Sequence, residues 1–366
     1  MNINLFLIPF VILLGLFLGN NDTKRNRRLY IIICSAVLLF VASMRSPEWT
    51  AYSYGIDTMS YKGYFESLFD MDWDSFWSSA YQRYVLGIGD SDIGYTGLIL
   101  LIQSFTRDFA IFSLIADLLF FVPFCIILYR YCSSISQIMF AFVYYIALIQ
   151  VFLLGGGRQM FAIGFDLMAL LAIINNKTLK AGLFFLIGLT FHMSSFMFLF
   201  PLLMLWKGFT PKSLKNLHIA SFIIIPIAFV ASNSIIGFLG NSSGMEKYSD
   251  YQEGDLIGTI TFVMLIEALS FFCLIAIKTR DMLNNISLRH FYVMTPFITF
   301  FGVISNGTLI RIVLYFHLFL TILVPFAIEC FFKENNRKTA YVITIGVLAI
   351  MTMLDNRGEY YFYWQR

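Results

Sequence analysis

Charge is what this sequence has least of. Asp, Glu, Lys and Arg make up 13% of its 366 residues, about half the share carried by ordinary soluble domains. With 59% of residues hydrophobic, a soluble fold has too little polar surface to cover the rest. Cysteine chemistry is also missing. Cys34, Cys125, Cys132, Cys273 and Cys330 lie in apolar stretches or at their edges, without Cys-x-x-Cys or Cys/His spacing, so neither a disulfide framework nor a zinc site is indicated. A formal net charge of +3 is too small to suggest a nucleic-acid partner. No linker, detachable soluble domain or internal repeat is visible, and no cofactor motif either.

What the chain has in quantity is apolar stretches long enough to cross a hydrocarbon core of about 30 Å. They recur from end to end, so residues 1–366 are expected to form one transmembrane helical unit. The first, Ile3 to Leu18, is followed by Lys24, Arg25, Arg27 and Arg28 and preceded by no base, the reverse of a secretory signal; it is expected to stay as a span. Twelve spans can be placed: Ile3 to Leu18, Leu29 to Met44, Phe109 to Tyr129, Gln137 to Leu154, Gln159 to Ile174, Leu179 to Phe191, Ser194 to Trp206, Leu217 to Phe238, Gly258 to Ile277, Phe291 to Ser305, Leu309 to Cys330 and Thr339 to Leu354.

With both termini outside, six turns that collect basic residues fall in the cytoplasm, which is the positive-inside pattern. Parity then settles two segments. Tyr95 to Phe105 is too short to span and is expected to lie at, or dip into, the outer face. The apolar run around His192 is expected to be a hairpin with His192 at its outer tip. Two regions then face the periplasm, residues 45–94 and 239–257, the first with the chain's densest polar and aromatic sequence.

On this topology nine of the eleven lysines are cytoplasmic, yet seven arginines lie outside: Arg45, Arg83, Arg107, Arg158, Arg311, Arg357 and Arg366. A guanidinium grips phosphate oxygens through two parallel hydrogen bonds and stays charged at any relevant pH. Arg158 stands in Gly155-Gly156-Gly157-Arg158-Gln159 where a span starts, so free helix N–H groups and a close backbone approach favour an anion there. Arg311, with Tyr315 one turn deeper, sits just inside the outer end of a span, where an arginine requires a counter-charge or water. The acids within spans, Asp117, Asp166, Glu267 and Glu329, are expected to be buried partners. In the first outer loop, Arg45 precedes Gly55-Ile56-Asp57-Thr58 and Tyr61, placing an anion binder and a carboxylate together. The aromatics beyond it, from Tyr64 to Tyr84, are either stacking platforms for sugar rings or the belt of an amphipathic helix on the membrane; the belt is the reading preferred for most of them. Asp70-Met71-Asp72-Trp73-Asp74 lacks the Gly turn and closing Glu of a calcium loop and reads as a solvated acidic face. His192, beside Ser194 and Ser195, is placed either to move a proton or to cap a helix.

Taken in order, Arg45, Gly55-Ile56-Asp57-Thr58 with Tyr61, Ile93-Gly94-Tyr95-Thr96-Gly97-Leu98, Gly157-Arg158-Gln159-x-x-Ala162, Phe191-His192-x-Ser194-Ser195 and Arg311-x-x-x-Tyr315 resemble the Wzy/EpsG group of O-antigen and exopolysaccharide polymerases, from about Arg45 to Pro325. One departure is Asp92-Ile93 ahead of Gly94-Tyr95, where the family more often carries Glu, so the resemblance assigns no role to an acid there. The resemblance implies a GT-C-like, multi-pass glycosyltransferase of the bacterial inner membrane. Its partner would be an undecaprenyl-diphosphate-linked oligosaccharide, joined to a hydroxyl of a second lipid-linked unit at the periplasmic face, with a chain-length regulator and a flippase as further partners. Arg158, Arg311, Arg45, Gln159 and Tyr315 would bind the diphosphate, and Asp57 or His192 would take the hydroxyl's proton. No metal is required, because the leaving diphosphate is already ionised. An O-antigen ligase shares this donor. A lipid-linked-oligosaccharide flippase is the rival from another class, but broken helices with charges at mid-membrane are not evident.

Overall fold

The computed structural model describes residues 2–46, 57–87, 92–150, 157–224, 256–304, 310–354 and 360–364. The described residues are helical, with no strand beyond one isolated bridge between Arg45 and Phe362. They divide into two compact units, Met1–Leu199 with Val347–Arg366, and Phe200–Gly346.

The first unit contains α1 (Asn4–Gly19), α2 (Lys24–Ser43), α3 (Thr58–Ser67), α4 (Trp73–Tyr84), α5 (Ile93–Gln103), α6 (Phe109–Tyr131), α7 (Ile135–Tyr144, continuing as a π-turn over Tyr145–Ile149), α8 (Gly157–Ile174) and α9 (Thr178–Phe191). Helix starts follow local side-chain chemistry. Thr23 accepts the Asn26 N–H, Ser134 that of Gln137, and Asp108 those of Ala110 and Ile111. Each satisfies a donor that the first helical turn leaves open. Asp22 pairs with Arg27 at 3.0 Å and also accepts the Ile135 N–H at 3.0 Å, which ties the α1–α2 turn to the start of α7.

Three helices, Lys24–Ser43, Phe109–Tyr131 and Gly157–Ile174, are long and apolar enough to cross a membrane by length and composition, and several shorter apolar helices accompany them. Apolar helices gain little from the hydrophobic effect against lipid tails, so close packing and hydrogen bonds must hold them together. Accordingly α8 lies between α6 and α9 with its inward face fully buried. The apolar run expected to form a hairpin at His192 is broken there: α9 ends with φ −161° and ψ 125°, and a 3-10 turn over Met193–Phe198 follows. Inside it Ser195 Oγ donates to the buried Asp166 carboxylate at 2.7 Å. The segment expected to be too short to span is α5, eleven residues long.

The acidic segment does not form a cluster facing one point. Asp72 caps α4 by accepting the Ser75 N–H at 2.8 Å, and hydrogen bonding from the Ser75 side chain, together with that N–H, holds its carboxyl below the usual carboxylate range. Along α4, Trp73, Trp77, Tyr81 and Tyr84 form an exposed stripe at helical spacing, while Phe76 turns inward. The α3 aromatics differ. Phe65 is buried against Phe69, Phe109 and Phe112, and Tyr64 stacks on Tyr95. The belt reading thus matches the α4 side chains, whereas the α3 rings form core.

In the second unit, α10 (Leu199–Lys207, beginning one residue earlier in the chain), α11 (helical over residues 211–224), α12 (Leu256–Ala276), α13 (Thr279–Asn284), α14 (Ile286–Tyr292), α15 (Thr295–Ile304), α16 (Ile310–His317) and α17 (Leu320–Phe331) lead into α18 (Glu334–Leu354). Two stretches expected as continuous spans are broken, at Val293–Met294 and at Leu318–Phe319. His218 is buried, with Nδ1 2.8 Å from the Tyr292 hydroxyl and Nε2 2.9 Å from Ser270 Oγ, so it joins α11, α12 and α14 as a structural histidine. Lys215 donates to the Ile277 carbonyl at 2.6 Å and to that of Leu274, closing the C-terminal end of α12. Of the two regions expected to face the periplasm, residues 47–56 and 88–91 of the first and residues 239–255 of the second lie outside the described residues.

Candidate functional site

Arg158 is the second residue of α8, and Asp92 immediately precedes α5. The first turn of α8 leaves backbone N–H groups without helical acceptors, and the arginine projects beside them. Its Nη1 donates to Asp92 Oδ2 at 2.8 Å. The Tyr61 ring of α3 lies 6.0 Å from the guanidinium carbon, inside cation–π range, and the same tyrosine covers Gly157 so closely that a Cβ there would sit 3.2 Å from the ring. Three segments far apart in sequence, 57–67, 92–103 and 157–174, therefore meet at one guanidinium.

The site is set by how α5 docks. At Gly94 a Cβ would come within 2.9 Å of the Thr190 carbonyl carbon, so only glycine lets α5 cross α9 at this depth. Tyr95, 2% exposed, then stacks on Phe161 of α8 and on Tyr64 of α3, while Tyr64 and Thr96 share a hydroxyl hydrogen bond of 2.8 Å. Gln103 donates to the Phe65 carbonyl at 2.6 Å and fixes the far end of the same pair of helices. Aromatic pairs of this kind contribute about 0.5–1.5 kcal/mol each beyond their buried area. Several in one layer make α3, α5 and α8 a stiff platform under Arg158.

Asp92 occupies the N-cap position of α5, where an aspartate ordinarily accepts a backbone N–H of its own helix. It does not do so; its carboxylate reaches across to Arg158 instead. Burial raises its pKa above the usual carboxylate range, against the opposing pull of Arg158 and, further off, Arg83. The side chain of Arg158 remains 42% exposed, and that of Asp92 17%.

The other sequence candidates are distributed as follows. Arg45 is buried: its Nε donates to Thr58 Oγ1 at 3.1 Å, its Nη1 to the Ala42 carbonyl at 2.6 Å, and Asp117 of α6 lies within electrostatic reach. That is the counter-charged setting an arginine needs at such depth, and it anchors the start of α3. Asp57 sits at the N-cap of α3, one turn before Tyr61, and makes no side-chain bond to its own helix. Gln159 is buried beside Arg158 on α8. His192 closes α9 two residues beyond Thr190 and bonds through its carbonyl to the Ser195 N–H at 3.0 Å. Tyr315 is buried in α16 of the second unit; of Arg311 only the backbone, in the first turn of α16, is described. Gly155, Gly156, Asn306, Gly307 and Thr308 lie outside the described residues.

The structure thus brings Arg158 together with Tyr61, and adds Asp92, which sequence reasoning left without a role. The signal that could have found it is small: an aspartate one residue before a helix that starts Ile93-Gly94-Tyr95, in a stretch otherwise poor in charge. No group of three or more potential metal-binding side chains occurs among the described residues.

No curated protein and no solved structure matches the chain. The family model described as "EpsG family" matches residues 29–364, a span that includes Arg45, Asp92, Arg158, His192 and Arg311. The chain belongs to the EpsG family, the Wzy/EpsG type of polymerase family.

Proposed function

We propose that this protein is a polysaccharide polymerase of the bacterial inner membrane. It transfers a growing glycan from undecaprenyl diphosphate onto a hydroxyl of another lipid-linked repeat unit, at the periplasmic face. The observation that carries the reading is Arg158: a half-exposed guanidinium at a helix start, held over an aromatic platform, in a chain of the EpsG family.

The chemistry follows from charge. As the bond between the sugar and the diphosphate breaks, negative charge grows on the departing oxygen. A guanidinium and the free N–H groups of a helix N-terminus stabilise it without needing to deliver a proton. Arg158 binds the diphosphate, with Gln159 behind it, and Arg311 and Tyr315 of the second unit are carried as diphosphate ligands from the resemblance alone. Arg45 serves the same site from below by holding α3, and with it Tyr61, in place. The resemblance offers Asp57 and His192 as candidate acceptors for the hydroxyl's proton. The exposed aromatic stripe of α4 suits a helix lying in the outer leaflet interface, where a lipid-linked donor arrives. In this reading the chain is a GT-C-like protein of about twelve spans.

The test is reconstitution. Purified protein in liposomes, given the lipid-linked repeat unit extracted from a polymerase-deficient strain of its source bacterium, should build a ladder of products differing by one repeat. Material that only crosses the bilayer would identify a flippase, and transfer only to lipid A core would identify a ligase. Either result overturns the proposal.

A further inference from the structure

Asp92 is the group the family resemblance leaves unassigned. Its geometry is not that of a capping residue. The Tyr95 and Thr96 N–H groups bond to its backbone carbonyl, at 3.0 and 3.1 Å, while the carboxylate turns away from α5 and ends 2.8 Å from Arg158. An N-cap aspartate that forgoes its own helix gives up a bond usually contributing about 1 kcal/mol. The ion pair it makes instead is partly open to solvent, a setting in which such pairs contribute only about 0–1 kcal/mol. Helix stability alone does not account for this orientation.

Resting on the polymerase reading, we propose that Asp92, in place of Asp57 or His192, is the general base of the transfer, exposed for that role when the donor diphosphate takes Arg158 from it. Hydrogen bonds to charged groups contribute about 1.5–3 kcal/mol each. A diphosphate able to accept two of them therefore outcompetes the one hydrogen bond that the Asp92 carboxylate accepts from the half-exposed guanidinium. Asp92 is left beside the bound donor with its oxygens available. The acceptor's hydroxyl oxygen forms a bond to the sugar's anomeric carbon, and its proton passes to an Asp92 oxygen. The bond from that carbon to the diphosphate oxygen breaks, and the lipid diphosphate leaves with the electron pair, neutralised by Arg158. Asp92 then returns its proton to water, and Arg158 re-pairs with it once the lipid diphosphate departs.

The surroundings support a carboxylate held ready for this. The groups acting on it are Arg158 from α8, Tyr61 of α3 through Arg158, and Arg83 and Tyr84 from α4, with Thr190 of α9 beside the neighbouring Gly94. Burial raises the proton affinity of Asp92 and Arg158 opposes it, so losing Arg158 to the donor makes Asp92 a stronger base at the moment it is required.

The experiment measures the transfer rate of the full chain in liposomes against donor concentration and pH, with the extracted lipid-linked repeat unit as substrate. If Asp92→Asn leaves KM unchanged or lower, drops kcat by about 100-fold or more, and abolishes the acidic limb of the rate profile, Asp92 is the base. For the wild type that limb should lie above the ordinary carboxylate range, with the rate falling as pH falls through it. A near wild-type rate in Asp92→Asn overturns the proposal, and so does a loss confined to KM with the limb intact, which would make Asp92 only a positioner of Arg158. Should Asp92→Asn fail to fold, Asp92→Glu decides: reduced transfer with a displaced limb supports the base, and an unmoved limb refutes it. Wild-type protein that builds no ladder refutes the polymerase reading itself, which separates the two failures.

Discussion

Gly94→Ala tests whether the docking of α5 on α9 is what assembles the site. A Cβ at residue 94 would meet Thr190 Oγ1 in hard overlap, and would lie 2.9 Å from the Thr190 carbonyl carbon and 3.0 Å from its Cβ. The hydroxyl cannot swing aside freely, since it donates to the Ile187 carbonyl at 2.7 Å, and the carbonyl carbon is backbone. Ordinary contact begins at 3.4 Å, so the helices must separate by at least 3.4 − 2.9 = 0.5 Å at this crossing. Asp92 lies two residues away and moves with α5, lengthening its 2.8 Å bond to Arg158. A misplacement of about 1 Å can cost a factor of roughly 100 in rate, so half that displacement should cost on the order of tenfold. Overpacking of this kind typically destabilises by about 1–3 kcal/mol. The assays are the initial rate of ladder formation in liposomes and the thermal unfolding of detergent-purified protein. Gly63→Ala in α3, where a Cβ meets nothing within 4 Å, is the control and should leave both unchanged or slightly raise stability. Gly94→Ala with the control's rate and melting temperature would refute the argument that this crossing positions Asp92.

Arg158→Lys and Arg311→Lys should each lower transfer tenfold or more at normal protein level, because an ammonium loses the two-pronged grip on phosphate; full-length polymer at wild-type rates in both would remove them from the donor site. Polymerisation should persist in excess EDTA, and activity restored only by magnesium or manganese would show the Asp70 to Asp74 segment has been misread. Ser195→Ala should lower the unfolding temperature by an amount matching about 1–3 kcal/mol, since the buried Asp166 carboxylate loses the hydroxyl that donates to it at 2.7 Å; an unchanged melting curve would show another group replaces it. In a cysteine-free background, cysteines at Ser53 and Ser242 should react with an impermeant thiol reagent in intact spheroplasts, and protection of either until lysis would invert the assigned topology.

Much of the architecture was decided locally. Long apolar stretches and their basic flanks specify where helices run, because a backbone without water must satisfy its own hydrogen bonds and charge resists burial. Thr23, Asp108 and Ser134 mark helix starts that the structure places where those side chains bond the first turn. The break at His192 was legible in the same way, as was the interest of Arg158, a charge at the edge of an apolar run beside glycines. The span count was less so: α14–α15 and α16–α17 break inside stretches that hydropathy reads as continuous spans, the first just before Thr295-Pro296 and the second just after His317.

What only the tertiary structure decided is which residues meet. The sequence makes Arg45 and Arg158 look alike in one respect, as arginines at the edges of apolar runs. The fold buries one against Thr58 and Ala42 and leaves the other half-open beside Asp92. Gly94 reads as a motif letter until α9 is seen pressed against it, and Asp92 reads as a helix cap until its carboxylate is seen pointing elsewhere. Pairings across 66 residues of chain, such as Asp92 with Arg158, leave no periodicity or spacing in one sequence. They depend on how closely two helices can approach, and that is settled by the shapes of side chains on elements the local sequence does not contain.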